Sequence, residues 1–146
     1  MKKFISIILI VLILTMEACS MQGNIPAKAE NDTLPEYITV LNEGIWPVND
    51  YTEGLPEPSG TVMWAMLDSQ HMNCSINLTD MNQNAYNSYL DLLKQAGYSV
   101  VEDVAEEIKG QDYVSIGALM SNGERWLSIS YIPDSFTIYI SFEKLM

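Results

Sequence analysis

Three alternating runs near the end of the chain restrict its fold more than any other feature. The runs "YVSIGALM", "RWLSISYI" and "FTIYISFE" place apolar residues at every second position, and only short breaks separate them. The first break, "SNGE", contains Asn-Gly, the strongest short signal for a hairpin. The second, "PDS", contains proline and aspartate, which are typical of turns. This pattern predicts an antiparallel meander of three strands.

The turn chemistry also predicts how the meander strands pair. A two-residue Asn-Gly turn would pair Met120 with Arg125 and Ala118 with Leu127. The next turn must contain an even number of residues to keep the apolar residues of the last two strands on one face. A slip of one residue would move every side chain to the opposite face. One face of the meander is therefore expected to form the core.

The other face of the meander is the candidate interaction surface. It would carry Leu119 opposite Trp126, with Tyr113 and Tyr139 nearby and serines between them. Such a face is too apolar to stand bare without a reason. We expect either that another part of the chain covers it or that it stays open and receives a partner.

Upstream patterns predict the rest of the sheet. "EYITVL" is a candidate short strand, and "TVMWAML" is a continuous apolar run typical of a strand buried on both faces. "MNCSINL" alternates, with Met72, Cys74, Ile76 and Leu78 on its inner face. Farther along, "YSVV" fits a strand, whereas "EDVAEEIKG" fits either a short helix or a loop.

One main helix is predicted over residues 80–96. Thr79 is a good N-cap, and Gly97 can adopt the left-handed conformation that ends helices. The expected buried face consists of Met81, Ala85, Tyr89, Leu92, Leu93 and Ala96. The sequence therefore predicts a single α+β domain over residues 34–146: an antiparallel β-sheet with one main helix packed on one face, preceded by a proline-rich extended arm.

That arm is the segment "WPVNDYTEGLPEP", residues 46–58. Its three prolines exclude a central strand or a helix interior. Trp46, Tyr51 and Leu55 are apolar anchors. The arm is expected either to cover the Trp126 face or to leave that face free for a partner.

The N-terminus has the features of an exported lipoprotein. Two lysines precede an apolar run over residues 4–14, which is too short to span a bilayer. "MEAC" resembles a bacterial lipobox and predicts a signal peptide over residues 1–18, a lipid on Cys19 and a flexible tether over 19–33. The alternative is an ordinary cut after "AKA". The expected location is the outer side of a cell membrane.

Charge and cysteine content narrow the possible partners. The net charge of −12 disfavours nucleic acid and anionic headgroups. It would suit cationic partners or divalent ions, or it serves only to keep the domain soluble.

If Cys19 carries lipid, Cys74 has no partner and the domain has no disulfide. We expect Cys74 to behave as a small buried hydrophobe.

No pattern predicts catalysis, a cofactor or a metal. His71 is the sole histidine and is expected in an exposed loop. Residues 80–91 have calcium-loop spacing, but Ala85 stands where the loop needs glycine. The carboxylates of residues 102–107 are typical of a solvated face.

The segment "WPVNDYTEGLPEP" and the helix end "KQAGY" together resemble a family of uncharacterised Gram-positive cell-surface lipoproteins. They fit W-P-x-N-x-aromatic-T-x-x-[LIV]-P-x-P and K-x-x-G-[FY], and the resemblance covers about residues 44–142. It implies a lipoprotein with this α+β order of elements, and it brings no assigned activity.

The first functional hypothesis is therefore a non-enzymatic binding module of the cell envelope, with an unknown protein or envelope ligand. The alternatives are an accessory subunit of a membrane assembly and a small envelope enzyme without a recognisable motif.

Overall fold

The computed structural model describes residues 34–145, which form one seven-stranded antiparallel sheet and one helix. The elements are β1 Ile38–Leu41, β2 Thr61–Asp68, β3 Asn73–Thr79, α1 Gln83–Gln95, β4 Ser99–Glu107, β5 Val114–Ser121, β6 Trp126–Ile132 and β7 Ser135–Ser141. Their order across the sheet is β1-β2-β3-β7-β6-β5-β4. The predicted α+β class, with its antiparallel sheet and single main helix, is confirmed.

The helix lies over the centre of one sheet face. The Tyr89 ring meets Phe136 of β7 edge-on at 5.7 Å, and Tyr86 lies 6.0 Å from Tyr131 of β6. Edge-to-face and tilted arrangements of this kind are favoured between aromatic rings. The buried core also takes side chains from β2, β3, β5, β6 and β7, and it lies within residues 55–140.

The helix begins later than the sequence predicted. Asp80 has φ of +61°, a left-handed conformation that cannot belong to a right-handed helix. Asn82 is the N-cap instead, and its side chain accepts a hydrogen bond from the Ala85 amide at 2.9 Å. The predicted N-cap Thr79 is the last residue of β3.

The buried face of the helix also differs from the prediction. Tyr86, Tyr89, Leu90 and Leu93 are buried, whereas Leu92 is 41 % exposed. The sequence placed two adjacent leucines on the buried face, and the structure turns the first of them outward.

The predicted glycine end of the helix agrees with the structure. Gly97 has φ of +94°, its amide donates to Lys94, and the Tyr98 amide donates to Leu93 at 3.0 Å. This pair of bonds is the Schellman motif, which satisfies carbonyls left free at a helix end. Tyr98 returns into the core.

The segment "EDVAEEIKG" was predicted as a short helix or a loop, and both predictions are wrong for most of it. Residues 99–107 form β4, a nine-residue strand at the sheet edge. Strand β4 pairs with β5 alone and is exposed along nearly its whole length. An edge strand tolerates many charges, because its side chains and one row of its backbone groups face water.

The first meander hairpin has a longer turn than predicted. Met120 pairs with Leu127 rather than Arg125, and Ala118 pairs with Ile129. The Asn122 side chain accepts bonds from the amides of Glu124 and Arg125, which closes a four-residue turn. Because the shift is two residues, the inward faces are those predicted. The second turn has two residues, as the even-number rule requires.

Candidate functional site: the open sheet face

The sheet face opposite the helix is named here the open face. Directly opposed residues in antiparallel strands point to the same side, so successive partners trace rows across this face. One row crosses all seven strands through Val40, Met66, Ser75, Tyr139, Ser128, Leu119 and Glu102. It therefore runs from an apolar edge, across a hydroxyl-rich centre, to an acidic edge.

The centre of the open face is rich in hydroxyl and amide groups. Asn77 of β3 donates to the Ser135 and Thr137 hydroxyls of β7, each at 3.1 Å. Ser128 and Ser130 on β6 are exposed. These short side chains leave a shallow surface on which larger neighbours stand out.

Three of the predicted surface residues do lie on the open face. Leu119 and Tyr139 stand on either side of Ser128 in one row, and all three predicted side chains are partly exposed. The predicted pairing of Leu119 with Trp126 is wrong, because the longer turn moves Trp126 opposite Ser121. Leu119 and Trp126 still share the face.

Tyr113 does not join this group. It lies just before β5, whereas Trp126 pairs with Ser121 at the other end of that strand. Eight residues of extended chain separate these ends by roughly 27 Å. The structure therefore brings together three of the four predicted residues.

The tail after β7 reaches the Trp126 end of the open face. The Lys144 ammonium lies 5.8 Å from the centre of the Trp126 ring, within the range of a cation–π contact. The Glu143 amide donates to Ser141 at 3.0 Å. Trp126 is thus partly covered by the chain's own tail.

Trp64 is the aromatic residue that the sequence interpretation missed. The run "TVMWAML" was predicted to be buried on both faces, yet Trp64 is 43 % exposed on the open face. A register shift between Val62 and Trp64 places Met63 in a β-bulge. Periodicity could not reveal this, since a continuous apolar run looks alike in a fully buried and a half-covered strand.

The proline-rich segment packs on the helix side of the sheet. Leu55 is buried in the core, with Trp46 and Tyr51 packed against it. Tyr51 lies 5.1 Å from the Phe142 ring. The apolar anchors of the segment therefore contact the core under the helix, and the expectation that they cover the Trp126 face is wrong.

Arg125 joins that segment to the meander. Its guanidinium donates to the carbonyls of Asp50 and Glu53 at 3.1 and 2.8 Å. It also lies 5.4 Å from the centre of the Phe142 ring. Three different parts of the chain are thus held by one side chain.

Asp68 and His71 form a hydrogen-bonded pair at one end of the sheet. The His71 Nδ1 and an Asp68 oxygen are 2.7 Å apart. Burial favours a higher pKa for Asp68, but hydrogen bonds from the His71 backbone and side chain outweigh it and lower the pKa below its usual value. His71 is exposed, as expected. A catalytic triad needs a third group in line, and no contact of this pair supplies one.

Tyr139 lies on the open face and has a pKa above the usual value for tyrosine. Partial burial raises its pKa, and the negative charges of Asp68 and Glu143 raise it further. The hydroxyl therefore stays protonated at neutral pH and is available as a hydrogen-bond donor.

Cys74 lies in the core and is fully buried. Burial raises its pKa to about 11, against a smaller lowering effect of the nearby Asn49 side chain. A nucleophilic cysteine needs a lowered pKa, so this thiol is structural.

Within residues 34–145 no three acidic, histidine or cysteine side chains come close enough to hold a metal ion together. Two surface depressions of that range, of about 540 and 520 Å³, are open grooves along residues 107–114 and 46–55. Neither lies on the open face.

The predicted lipid-attachment residue Cys19, the predicted signal peptide and the predicted tether lie outside the described residues. None of the helical residues of the described range forms a segment long and apolar enough to cross a membrane. No family model matches the chain, and no curated protein or solved structure matches it. The family resemblance stays a prediction.

Proposed function

We propose that this protein is a lipoprotein anchored through Cys19 to the outer side of a cell membrane. We propose further that its domain is a non-enzymatic binding module of the cell envelope, and that the open face is its binding surface. The observation that carries the second proposal is the position of the covering elements. The helix and the anchors of the proline-rich segment pack on the same side of the sheet, which leaves Trp64, Tyr139 and Leu119 partly exposed.

The composition of the open face supports a binding role. Tryptophan and tyrosine supply large, rigid contact areas, while serine and asparagine supply adaptable hydrogen bonds, as in antibody paratopes. Trp64 lies opposite Asn77 on the neighbouring strand, and Tyr139 is two residues from Thr137, the β7 partner of Asn77. A ligand with both apolar and polar groups fits this surface.

A capture experiment tests the binding proposal. The tagged chain is presented to detergent-solubilised envelope from its own source, beside a Trp64→Ala/Tyr139→Ala variant. The matched control is Leu92→Ala, an exposed helix residue on the other side of the sheet. The proposal expects a partner that the native chain and the control retain and that the double variant loses, with all three folded by circular dichroism. Equal capture by all three would place binding elsewhere.

The anchor is tested separately by Cys19→Ala. The native chain is expected in the detergent phase after Triton X-114 partition and to incorporate labelled palmitate. The variant is expected to lose the label and either move to the aqueous phase or keep its leader. A variant that is still processed and membrane-bound would contradict lipidation.

A further inference from the structure

The β1 edge of the sheet exposes a group of apolar side chains, named here the edge patch: Leu34, Val40, Ile45, Met63 and Trp64. Leu34, Val40 and Ile45 are each more than half exposed. A soluble domain rarely leaves several large apolar residues exposed together without a use for them.

The strand pairing places these residues along one border of the sheet. Val40 pairs with Met66, which is two residues from Trp64 on the same face. The Gly44 amide donates to the Val62 carbonyl at 2.8 Å, so the chain next to Ile45 runs along β2 next to the bulged Met63. The patch therefore follows the border of the sheet rather than its centre.

The opposite edge of the sheet, formed by β4, is acidic rather than apolar. Strand β4 carries Glu102, Asp103, Glu106 and Glu107, all of them exposed. Their alternation along the strand puts carboxylates on both faces. Six strand spacings separate the two edges, a distance of about 29 Å. The domain is thus polarised across its sheet, from an apolar edge to an acidic one.

The chain enters the domain at the apolar edge. Leu34 precedes β1 by a single turn, which the Ile38 amide closes onto the Pro35 carbonyl. Fourteen residues lie between Cys19 and Leu34, and such a length spans at most about 50 Å. A lipid on Cys19 would therefore keep the edge patch close to the bilayer. The anchor gives the domain a high effective concentration at the membrane surface. Even a weak contact between the apolar patch and the bilayer is then populated.

We propose that the edge patch inserts into the interface of the bilayer that holds the lipid of Cys19, so that the sheet stands edge-on to the membrane. Tryptophan prefers this interfacial depth. The acidic β4 edge then points away from the surface, and the part of the open face around Tyr139 and Leu119 stands free beside it. Exposed Glu36 and Glu43 lie between patch residues in the chain, so the contact is shallow and suits headgroups without net negative charge. The inference depends on the proposed lipid anchor.

The experiment supplies the anchor chemically. The chain from Cys19 onward is coupled through the Cys19 thiol to a maleimide lipid in phosphatidylcholine vesicles. Buried Cys74 does not compete. Tryptophan emission is compared between vesicles with brominated and with ordinary acyl chains. Of the three tryptophans, the proposal expects Trp64 to account for most of the bromine quenching.

Two matched variants decide the result. Trp64→Phe is expected to lose most of the quenching, whereas Trp126→Phe, on a strand in the other half of the sheet, is expected to keep it. Absence of quenching in the native chain would overturn the proposal. Quenching that survives Trp64→Phe in full would also overturn it. An equal partial loss in the two variants would mean that the open face lies flat on the membrane, which overturns the edge-on orientation. Because the anchor is supplied, these outcomes do not depend on whether Cys19 is acylated in cells, which Cys19→Ala tests.

Discussion

Gly60 lies where the β2–β3 hairpin meets the start of the helix, and the space around it leaves no room for a side chain. A Cβ on Gly60 would lie 2.6 Å from the Thr79 carbonyl oxygen and 2.7 Å from Cγ of Met81. Met81 is buried, so it has little room to move. The glycine is required here for close approach.

Gly60→Ala is therefore expected to lower the free energy of unfolding by about 1–3 kcal/mol, the usual cost of overpacking. Urea denaturation followed by circular dichroism measures the change. Glu57→Ala, at an exposed position nearby, is the control and should stay within about 0.5 kcal/mol of the native chain. An unchanged urea midpoint for Gly60→Ala would show that the Met81 side chain can move aside without loss of stability.

Because of Cys74, the free energy of unfolding is expected to fall at alkaline pH. Burial raises its pKa to about 11 from 9.0, so between these values the unfolded chain loses the thiol proton while the folded chain keeps it. The contribution is fully present below pH 9 and is lost as pH rises toward 11. The full loss amounts to about 2–3 kcal/mol.

The measurement is the free energy of unfolding in urea at pH 8, 9 and 10. The native chain should lose stability above pH 9, and Cys74→Ala, although less stable at pH 8, should fall more gently over the same range. Burial raises the pKa of Tyr86 to about 12, so tyrosine contributes mainly above pH 10. Parallel curves for the two chains would contradict the assignment to Cys74.

At the scale of elements, the helix offers a direct test of which face is buried. Leu93 is fully buried and Leu92 is 41 % exposed. Leu93→Ala is expected to cost about 2–5 kcal/mol, as deletion in a packed core does. Leu92→Ala should cost well under half as much. The two variants have identical composition, and equal losses would mean that the helix is rotated from the orientation described.

The sequence predicted those elements whose signal is local. Alternation located the three meander strands, and Gly97 located the end of the helix. The start of the helix was missed because residues 79–82 offer several capping side chains, and only the left-handed Asp80 separates strand from helix. Strand β4 was missed because an edge strand lacks the apolar alternation of a half-buried one.

The sequence also predicted part of the candidate site, because local alternation determines on which face of a sheet a residue lies. Face assignment survives a shift of two residues, so Trp126, Leu119 and Tyr139 were placed on the right side of the sheet. Which element covers which face depends on contacts between distant segments. Arg125 holding the carbonyls of Asp50 and Glu53 is an example that no local pattern reveals.

For the whole molecule, unbalanced charge is the dominant electrostatic feature. The net charge is −12 with His71 neutral, and within the described range Lys94 forms an ion pair with Asp91. Self-repulsion of like charges destabilises the compact state. Salt should therefore stabilise this protein.

Raising NaCl from about 0.1 M to about 1 M shortens the screening length from roughly 10 Å to 3 Å. The thermal midpoint followed by circular dichroism is expected to rise by several degrees. A variant with Glu57→Gln and Glu124→Gln, both at exposed positions, should respond less. A midpoint that falls with salt would mean that attraction between opposite charges, such as Lys94 and Asp91, outweighs the repulsion.

The order of the strands also determines when the chain can fold. Strand β7 is the last to be made, yet it joins β3 to β6 at the middle of the sheet. Ser75 must find Tyr139 across most of the domain, and contacts between such distant residues slow folding. Until β7 is in place, the β2–β3 hairpin and the β4–β5–β6 strands present unpaired edges and share no sheet. The two halves of the described sheet can therefore join only after the ribosome has made β7.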